Sequence, residues 1–316
     1  MSGAVTAFAP GSIGNVGPGL DIMGLAVAGD GDSVRAEWLD GPGLRVLDPG
    51  HPELPAEAGR HTSGLAARAV LARAGADAAR GRGIGLSVKK GLPLSGGQGG
   101  SAASAVAGAV AVNALLGQPL GARELIEACL DAEEAVAGRH ADNIAPSLLG
   151  GIVLIRSMDP LDVVSLPVPA DLHVVLARPD QRMRTADARA VLPRDVPRAV
   201  ALHQAAQVGA MVAALATGDY DLLARSVDDR IAEPVRAGLL PGFAEAKAAA
   251  LAAGALGSSI SGSGPTAFAL ARGRDSAERI AAAMEQAYRA RGGGCSVRVG
   301  PVDRSGATIT REGEVR

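Results

Sequence analysis

Aromatic side chains are nearly missing from this chain of 316 residues: three Phe, two Tyr and one Trp, 2% of the total. Its core therefore has to be built from Ala, Val, Leu and Ile, and the scattered basic residues lack the interleaved aromatics on which nucleic-acid bases stack. Charge of one sign is also scarce. Lys plus Arg number 31 against 33 Asp plus Glu, a net charge of -2 with no long run of either sign, so a nucleic-acid partner is not expected. Only three basic residues are lysines (Lys89, Lys90 and Lys247), a bias read as compositional and given no functional weight. Cys129 and Cys295 are too few and too far apart for a disulfide framework or a zinc site, which leaves a reducing compartment as the default. Met1 to Thr6 contain no basic region followed by an apolar core, so no secretory signal is visible. The apolar run Ala102–Leu116 is interrupted by Asn113 and falls short of the roughly 20 residues a membrane span needs. A cytoplasmic protein is expected, with neither nucleic acid nor membrane as partner.

Glycine, by contrast, is abundant and clustered. Three separated stretches stand out: Gly11-Ser12-Ile13-Gly14-Asn15-Val16-Gly17-Pro18-Gly19-Leu20-Asp21, Pro93-Leu94-Ser95-Gly96-Gly97-Gln98-Gly99-Gly100-Ser101-Ala102-Ala103-Ser104, and Gly257-Ser258-Ser259-Ile260-Ser261-Gly262-Ser263-Gly264-Pro265. The middle stretch runs into Ala105–Leu116, too long and unpunctuated for a strand, and reads as a helix opening on a loop of unencumbered backbone amides. Such a helix start is an anion site. Its first N–H groups have no partner within the helix, the peptide dipoles add positive charge, and glycine lets the main chain close around phosphate oxygens. No Lys-Ser/Thr pair follows the glycines as in a P-loop, and no Gly-x-Gly-x-x-Gly fits residues 91–104, so neither common nucleotide signature applies. Close helix packing through Gly and Ala is the bland alternative, and two further loops of like character weigh against it.

Ala4–Ala9 and Leu25–Leu39 read as strands flanking the first loop, and Gly85–Lys90 as a strand leading to the second. His61–Ala74 and Arg123–Ala137 have helical spacing of apolar positions. Gly151–Ile155 and Leu172–Ala177 read as buried strands on either side of Pro160–Pro169, the candidate domain boundary. Ala-rich helices follow at 186–191, 197–217, 219–232 and 241–253, then the third glycine loop, a strand at Thr266–Ala271, a helix at Ser276–Ala290 and a closing strand pair. Helices and strands mix without strict alternation, which favours an α+β layout. The length suggests two domains, 1–165 carrying the phosphate loop and 166–316, with the last strands a candidate to pack back on the first.

In motif order the chain resembles the GHMP kinase superfamily of small-molecule kinases, over nearly its whole length. The resemblance rests on Asn-x-Gly-Pro-Gly-x-Asp (Asn15 to Asp21), the Pro93–Ser104 loop, His140-Ala141-Asp142-Asn143-Ile144-Ala145-Pro146, Thr185-Ala186-Asp187-Ala188-Arg189, Asp229-Arg230-Ile231-Ala232-Glu233-Pro234-Val235-Arg236, and Ser261-Gly262-Ser263-Gly264-Pro265-Thr266. The first, second and last are of superfamily type; the three between point to the homoserine branch. The resemblance implies a two-domain fold, an N-terminal half like ribosomal protein S5 domain 2 and a C-terminal ferredoxin-like α+β half. It also implies transfer of the γ-phosphoryl group of ATP to the hydroxyl of L-homoserine, with Mg²⁺, and a homodimer. Another GHMP small-molecule kinase (threonine, shikimate or mevalonate type) and a non-catalytic nucleotide-binding member are the alternatives.

An amino-acid alcohol presents a carboxylate, an ammonium and a hydroxyl, so its site needs a cationic fork, an anion and a hydrogen-bonding group near the nucleophile. By the resemblance, Arg189 and Arg236 take the carboxylate, and Asp21 takes the ammonium with Asn15 beside it. Asp142 and Asn143 complete the acceptor pocket, to which His140 (a structural hydrogen bonder), Thr185 and Gly262 also belong. The whole run Pro93, Leu94, Ser95, Gly96, Gly97, Gln98, Gly99, Gly100, Ser101, Ala102, Ala103 and Ser104 is assigned to the nucleotide. Mg²⁺ needs hard oxygen ligands, assigned to Ser101 and Glu134, with the adjacent Glu133 left open. Asn15, Asp21, Ser101, Glu134 and Asn143 are thus expected nearest the chemistry. A loose phosphoryl-transfer transition state asks little of a strong base, and no Lys lies in these motifs; Asp21 is the fallback. The chain departs from the family pattern at Gln98 (usually Leu), Gly100 (Ser), Gly14 (Ala) and Leu20 (Phe).

Overall fold

Along one strand Ala267, Ala269 and Ala271 alternate with Phe268 and Leu270, and this period of two dictates how the layers of the C-terminal half assemble. The computed structural model describes residues 3–75, 78, 79, 81–136 and 138–311. In its C-terminal half, β7 (Leu172–Pro179), β8 (Gly257–Ile260), β9 (Ala267–Arg272) and β10 (Cys295–Pro301) form an antiparallel sheet in the order β10-β7-β9-β8. The alanine side of β9, with Val175 and Ala177 of β7, lies under α9 (Phe243–Ala252) and α10 (Arg274–Ala290), where small side chains let the helices sit close. The opposite face, carrying Leu172, Val174, Leu176, Phe268 and Leu270, packs against Ile13, Leu25 and Val27 of the N-terminal sheet. The large residues thus fill the junction between the halves, and few aromatics are needed because Phe268 stands at its centre, fully buried.

The N-terminal sheet runs β11-β1-β2-β4-β3, from β1 (Val5–Gly14), β2 (Met23–Leu39), β3 (Leu44–Asp48), β4 (Gly83–Lys89) and β11 (Thr308–Arg311). The other end of β2 pairs with β5 (Ile152–Met158), which pairs in turn with β6 (Leu161–Leu166). Four helices accompany it: α1 (Thr62–Ala74), α2 (Gly100–Leu115), α3 (Ala122–Glu134) and α4 (Ile144–Leu149). The Ala-rich α2 is apolar all round and is buried almost throughout between α1, α3 and the sheet. Its one interior amide, Asn113, is satisfied by exchanging hydrogen bonds with both backbone groups of Leu120.

Between the halves run α5 (Thr185–Ala190), α6 (Arg198–Thr217), α7 (Tyr220–Ser226) and the short α8 (Glu233–Arg236). Here three expectations need correction. The helix expected over 219–232 stops at Ser226, because the Asp229 carboxylate takes the backbone N–H groups of Ile231, Ala232 and Glu233 and turns the chain. The closing strands are not a pair: β10 joins the C-terminal sheet beside β7, whereas β11 crosses back to pair with β1. The helix expected to reach Ala137 ends at Glu134, and Ala137 lies outside the described residues. One helix among the described residues, α6, has the length and apolarity of a membrane span, and here it packs Met211, Ala214 and Leu215 into the junction core.

Replacing Phe268 by Ala is expected to lower the unfolding free energy by about 3–5 kcal/mol, since the junction cannot collapse onto a void lined by two sheets. Urea denaturation measures it, and a loss under about 1 kcal/mol would contradict this packing account.

Candidate active site

The three glycine stretches, distant in sequence, meet at one cleft of about 560 Å³ between the halves. Their mutual contacts are specific. Ser261 Oγ donates to the Gly97 carbonyl and Thr266 Oγ1 to the Gly96 carbonyl, both at 2.6 Å. The backbone N–H of Gly262 donates to the Gly14 carbonyl at 3.1 Å, and that of Ser12 to the Gln98 carbonyl at 3.1 Å. Gly97 has φ +72, and a Cβ there would come within 2.6 Å of the Gly264 carbonyl, so only glycine lets the loops close to this distance. The carbonyls of Gly96, Gly97 and Gln98 are occupied from behind, and the Pro93–Ala102 segment, Gln98 excepted, lines the cleft at the start of α2. The Gln98 and Ala103 side chains point elsewhere: Gln98 is buried and donates to Thr266 Oγ1 at 3.3 Å, and Ala103 is buried in the N-terminal core. The family departure at Gln98 thus adds a strut between loops.

At the wall opposite the phosphate loop, Arg189 of α5 donates two hydrogen bonds to Asp21, at 2.8 and 3.3 Å. His140 lies 3.4 Å from the same carboxylate. Burial alone would raise the Asp21 carboxyl, but Arg189, His140 and Arg236 outweigh it and hold it below the usual range. Arg236 of α8 is buried and donates to the carbonyls of Ala188 and Gly262, each at 3.0 Å. Asn15 donates to the Gly262 carbonyl at 3.0 Å and accepts the N–H of Asp21 at 3.0 Å. Asp142 is buried beside them, and burial first, then repulsion from Asp21, pushes its carboxyl up to about 7. Asn143 accepts from Ser12 Oγ at 3.0 Å. Gly14 explains the closeness: a Cβ there would run into the side chains of both Asp142 and Asn143. Thr185, at the first turn of α5, lines the same cleft.

The two adjacent acids at the end of α3, between which the sequence left the metal ligand open, are set apart by a single helical step. On α3 it is Glu133, buried, that receives the hydroxyl hydrogen bond of Ser101, whereas Glu134 is exposed and paired with Arg139. Successive residues on a helix point about 100° apart, so only one of the two acids can face the loop. Burial raises the Glu133 carboxyl despite the Ser101 hydroxyl and the Lys90 charge. Lys90 itself was missed by motif reading. It pairs with the fully buried Asp32 and donates to the Gly100 carbonyl at 3.0 Å and to Ser104 Oγ at 2.8 Å, at the base of the phosphate loop. Residues Glu53, Leu54, Pro55, His61 and Thr62 form the outer wall.

Behind the acceptor wall sits a support that the motifs also left without a role. Gln204 of α6 is buried; its amide donates to the Pro18 carbonyl at 2.8 Å and to Asp229 at 2.9 Å, and its oxygen accepts from the Arg230 N–H at 3.2 Å. One side chain thereby ties the loop bearing Asn15 and Asp21 to the turn that presents Arg236. The first loop needs such a tie, since Asn15, Val16 and Asp21 all have positive φ, a conformation that persists only when surroundings over-determine it.

With this geometry, comparison with known proteins is decisive. The model for the GHMP kinases N terminal domain matches residues 61–151 and that for the GHMP kinases C terminal matches 211–290. The homoserine kinase of Chlorobium phaeobacteroides is 41% identical over 295 residues, covering 90% of this chain and 92% of that protein. The chain belongs to the homoserine kinase family of GHMP kinases. The homoserine kinase of Arabidopsis thaliana is also 41% identical, over 90% of this chain and 78% of its own length. The crystal structure of homoserine kinase from Cytophaga hutchinsonii superimposes with a TM-score of 0.92 at 40% identity, covering 97% of each chain. Membership in the homoserine kinase family agrees with the two-domain α+β architecture and with the order of glycine loops read from the sequence.

Two outcomes are expected from this arrangement. Replacing Gln204 by Leu leaves buried acceptors and donors unpaired and is expected to raise the acceptor-alcohol KM about tenfold or more while leaving the ATP KM nearly unchanged. Equal effects on both constants in steady-state kinetics would reduce Gln204 to general stability. For Asp142 the folded carboxyl titrates above its unfolded value, so its contribution to stability is full below about pH 4 and lost as pH rises through about 7. Urea midpoints measured from pH 4 to 8 should therefore fall relative to those of Asp142→Asn, and parallel curves would refute the burial account.

Proposed function

We propose that this enzyme transfers the γ-phosphoryl group of ATP to the side-chain hydroxyl of L-homoserine, giving O-phospho-L-homoserine, a step toward threonine. The observation that carries the reading is the facing of opposite charges across one cleft: the phosphate loop and helix start on one side, the Asp21–Arg189 pair and buried Arg236 on the other. A zwitterion matches that pair. Its ammonium takes Asp21, its carboxylate takes Arg189 and Arg236, and Asn15, His140, Asp142, Asn143, Thr185 and the Gly262 backbone surround the remaining atoms. A free sugar or mevalonate would leave one of these charges without a partner. Relatives named homoserine kinase at about 40% identity support the same acceptor.

On the donor side, amides of residues 93–102 would take the phosphates, and the Glu53–Thr62 wall the base. Ser101 and Glu133 offer a hydroxyl and a carboxylate side by side, a hard-oxygen pair that fits Mg²⁺ with phosphate and water completing its shell. When bound, Mg²⁺ offsets charge on the phosphate oxygens. Lys90, neutralised by Asp32, steadies the loop from beneath. No dedicated base is required: Asp21 is engaged by Arg189, and the hydroxyl proton passes to a phosphate oxygen or to solvent. The chemistry then depends on alignment and on fixed charge, for which rigid loops are suited. Domain 1–165 would supply the phosphate loop and part of the acceptor wall, and domain 166–316 the two arginines, the return of β11 to β1 tying the chain end to the first. We place the enzyme in the cytoplasm as a homodimer, the free thiols of Cys129 and Cys295 suiting a reducing compartment.

A coupled ADP-release assay across L-homoserine, L-threonine, shikimate, mevalonate and galactose should show turnover with L-homoserine far above the rest; preference for another alcohol would displace the reading. Arg236→Leu should raise the KM for homoserine at least about tenfold, with the ATP KM nearly constant. Glu133→Gln should depress turnover and raise the magnesium concentration required, whereas Glu134→Gln should behave like the parent enzyme. The reverse pattern would return the metal to Glu134.

A further inference from the structure

A second cavity, of about 620 Å³, lies behind the phosphate loop, between the outer edge of the C-terminal sheet and the N-terminal half. Arg178 of β7 and Arg298 of β10 both line it. Register explains why: Arg178 sits opposite Ser296, two residues from Arg298, so both arginines occupy the same face of adjacent antiparallel strands and are diagonal neighbours. Like charges so placed repel unless something lies between them. Their compensation is incomplete. Among the described residues the Arg178 guanidinium has neither an ion-pair nor a hydrogen-bond partner. Arg298 has one ion-pair partner, Asp30, which meets Nη1 at 2.5 Å and is itself 59% exposed; Nε and Nη2 of Arg298 are buried without a hydrogen-bond acceptor among the described residues. Buried donors left unpaired are rare in native proteins and mark a place where an ion or water belongs.

The other cations of the cavity are already spoken for, Arg182 by Glu53 and Lys90 by Asp32. What remains is a pair of guanidinium forks facing one solvent-exposed carboxylate. We propose that this cavity is a second anion site, built for a phosphate group that bridges Arg178 and Arg298 and displaces Asp30. A tetrahedral dianion offers enough oxygens for both forks, which a single carboxylate does not. Its wall includes Leu92, Pro93, Leu94 and Gln98, the rear of the segment whose front faces the main cleft. Occupancy there is positioned to bear on the phosphate loop without entering the cleft. None of the residues lining this second cavity belongs to the wall proposed for the acceptor.

Calorimetric titration of the full chain with inorganic phosphate, after saturation with Mg²⁺ and a non-hydrolysable ATP analogue, tests it. Phosphoserine serves as a second probe, to distinguish free phosphate from a phosphate ester. Binding is expected for at least one probe, weakened about tenfold or more by Arg178→Gln and by Arg298→Gln, and strengthened by Asp30→Asn, which frees Arg298. Should Arg298→Gln fail to fold, Arg178→Gln, at a partly exposed position, decides alone. No binding of either probe once the nucleotide analogue is present, or binding that Arg178→Gln leaves intact, overturns the proposal.

Discussion

Two hydroxyls clamp the phosphate loop from behind: Ser261 and Thr266 hold the carbonyls of Gly97 and Gly96, and everything at the cleft is referenced to that clamp. A loop that offers its amides to a ligand must turn its carbonyls away, and buried carbonyls need donors. The turn that supplies them also presents the Gly262 carbonyl, on which Asn15 and Arg236 converge. One short segment from the C-terminal half therefore fixes the spacing between the wall that faces phosphate and the wall that carries opposite charges. This is why glycine is concentrated in three places. At each, side chains would hold the backbones too far apart for hydrogen bonds between them.

Buried charge is the second constraint. Asp32 is removed from water and compensated by Lys90, two backbone N–H groups and Ser104. Asp21, which is not itself among the residues lining the cleft, and Arg189, which is, compensate each other, an arrangement a zwitterionic ligand can replace charge for charge without leaving either group desolvated and alone. Asp142 forms no ion pair among the described residues, and burial with repulsion from Asp21 holds its proton to about pH 7 despite hydrogen bonds from Asn15 and Asn143. Glu133 follows the same logic beside Ser101, burial raising its carboxyl more than the Ser101 hydroxyl and the Lys90 charge lower it. Gln204 and Asp229 carry little catalytic meaning by themselves, yet they set the angle between the loop of Asp21 and the turn of Arg236.

Much of the cleft is legible in the sequence. Glycine loops and the helix start at Gly100 could be read because they follow from local chemistry: backbone freedom and unpaired amides. The acceptor residues came through motif resemblance, and Asn15, His140, Asp142, Asn143, Thr185, Arg189, Arg236 and Gly262 all line the cleft. What escaped was directional or non-local. Choosing between Glu133 and Glu134 needs the helical phase to within one residue; motif matching did not use the phase set by Leu125, Ile126, Cys129 and Leu130, which puts Glu133 on the buried side. Lys90 and Asp32 lie 58 residues apart in sequence, and neither sits in a motif that announces the other. The break near Asp229 was hidden because a carboxylate that captures backbone N–H groups looks, in sequence, like any other helix-surface acid.

The sequence by itself determined the class of chemistry: a helix start stripped of side chains for phosphate, Arg and Asp in turns for a charged acceptor, and small apolar residues for an α+β core. Tertiary structure decided which acid faces Ser101, which cation braces the loop, and how β10 and β11 divide between two sheets. The physical reason is range. Backbone freedom and periodicity act over a few residues and leave their mark locally, whereas the satisfaction of a buried charge or carbonyl depends on groups that only the folded chain brings together.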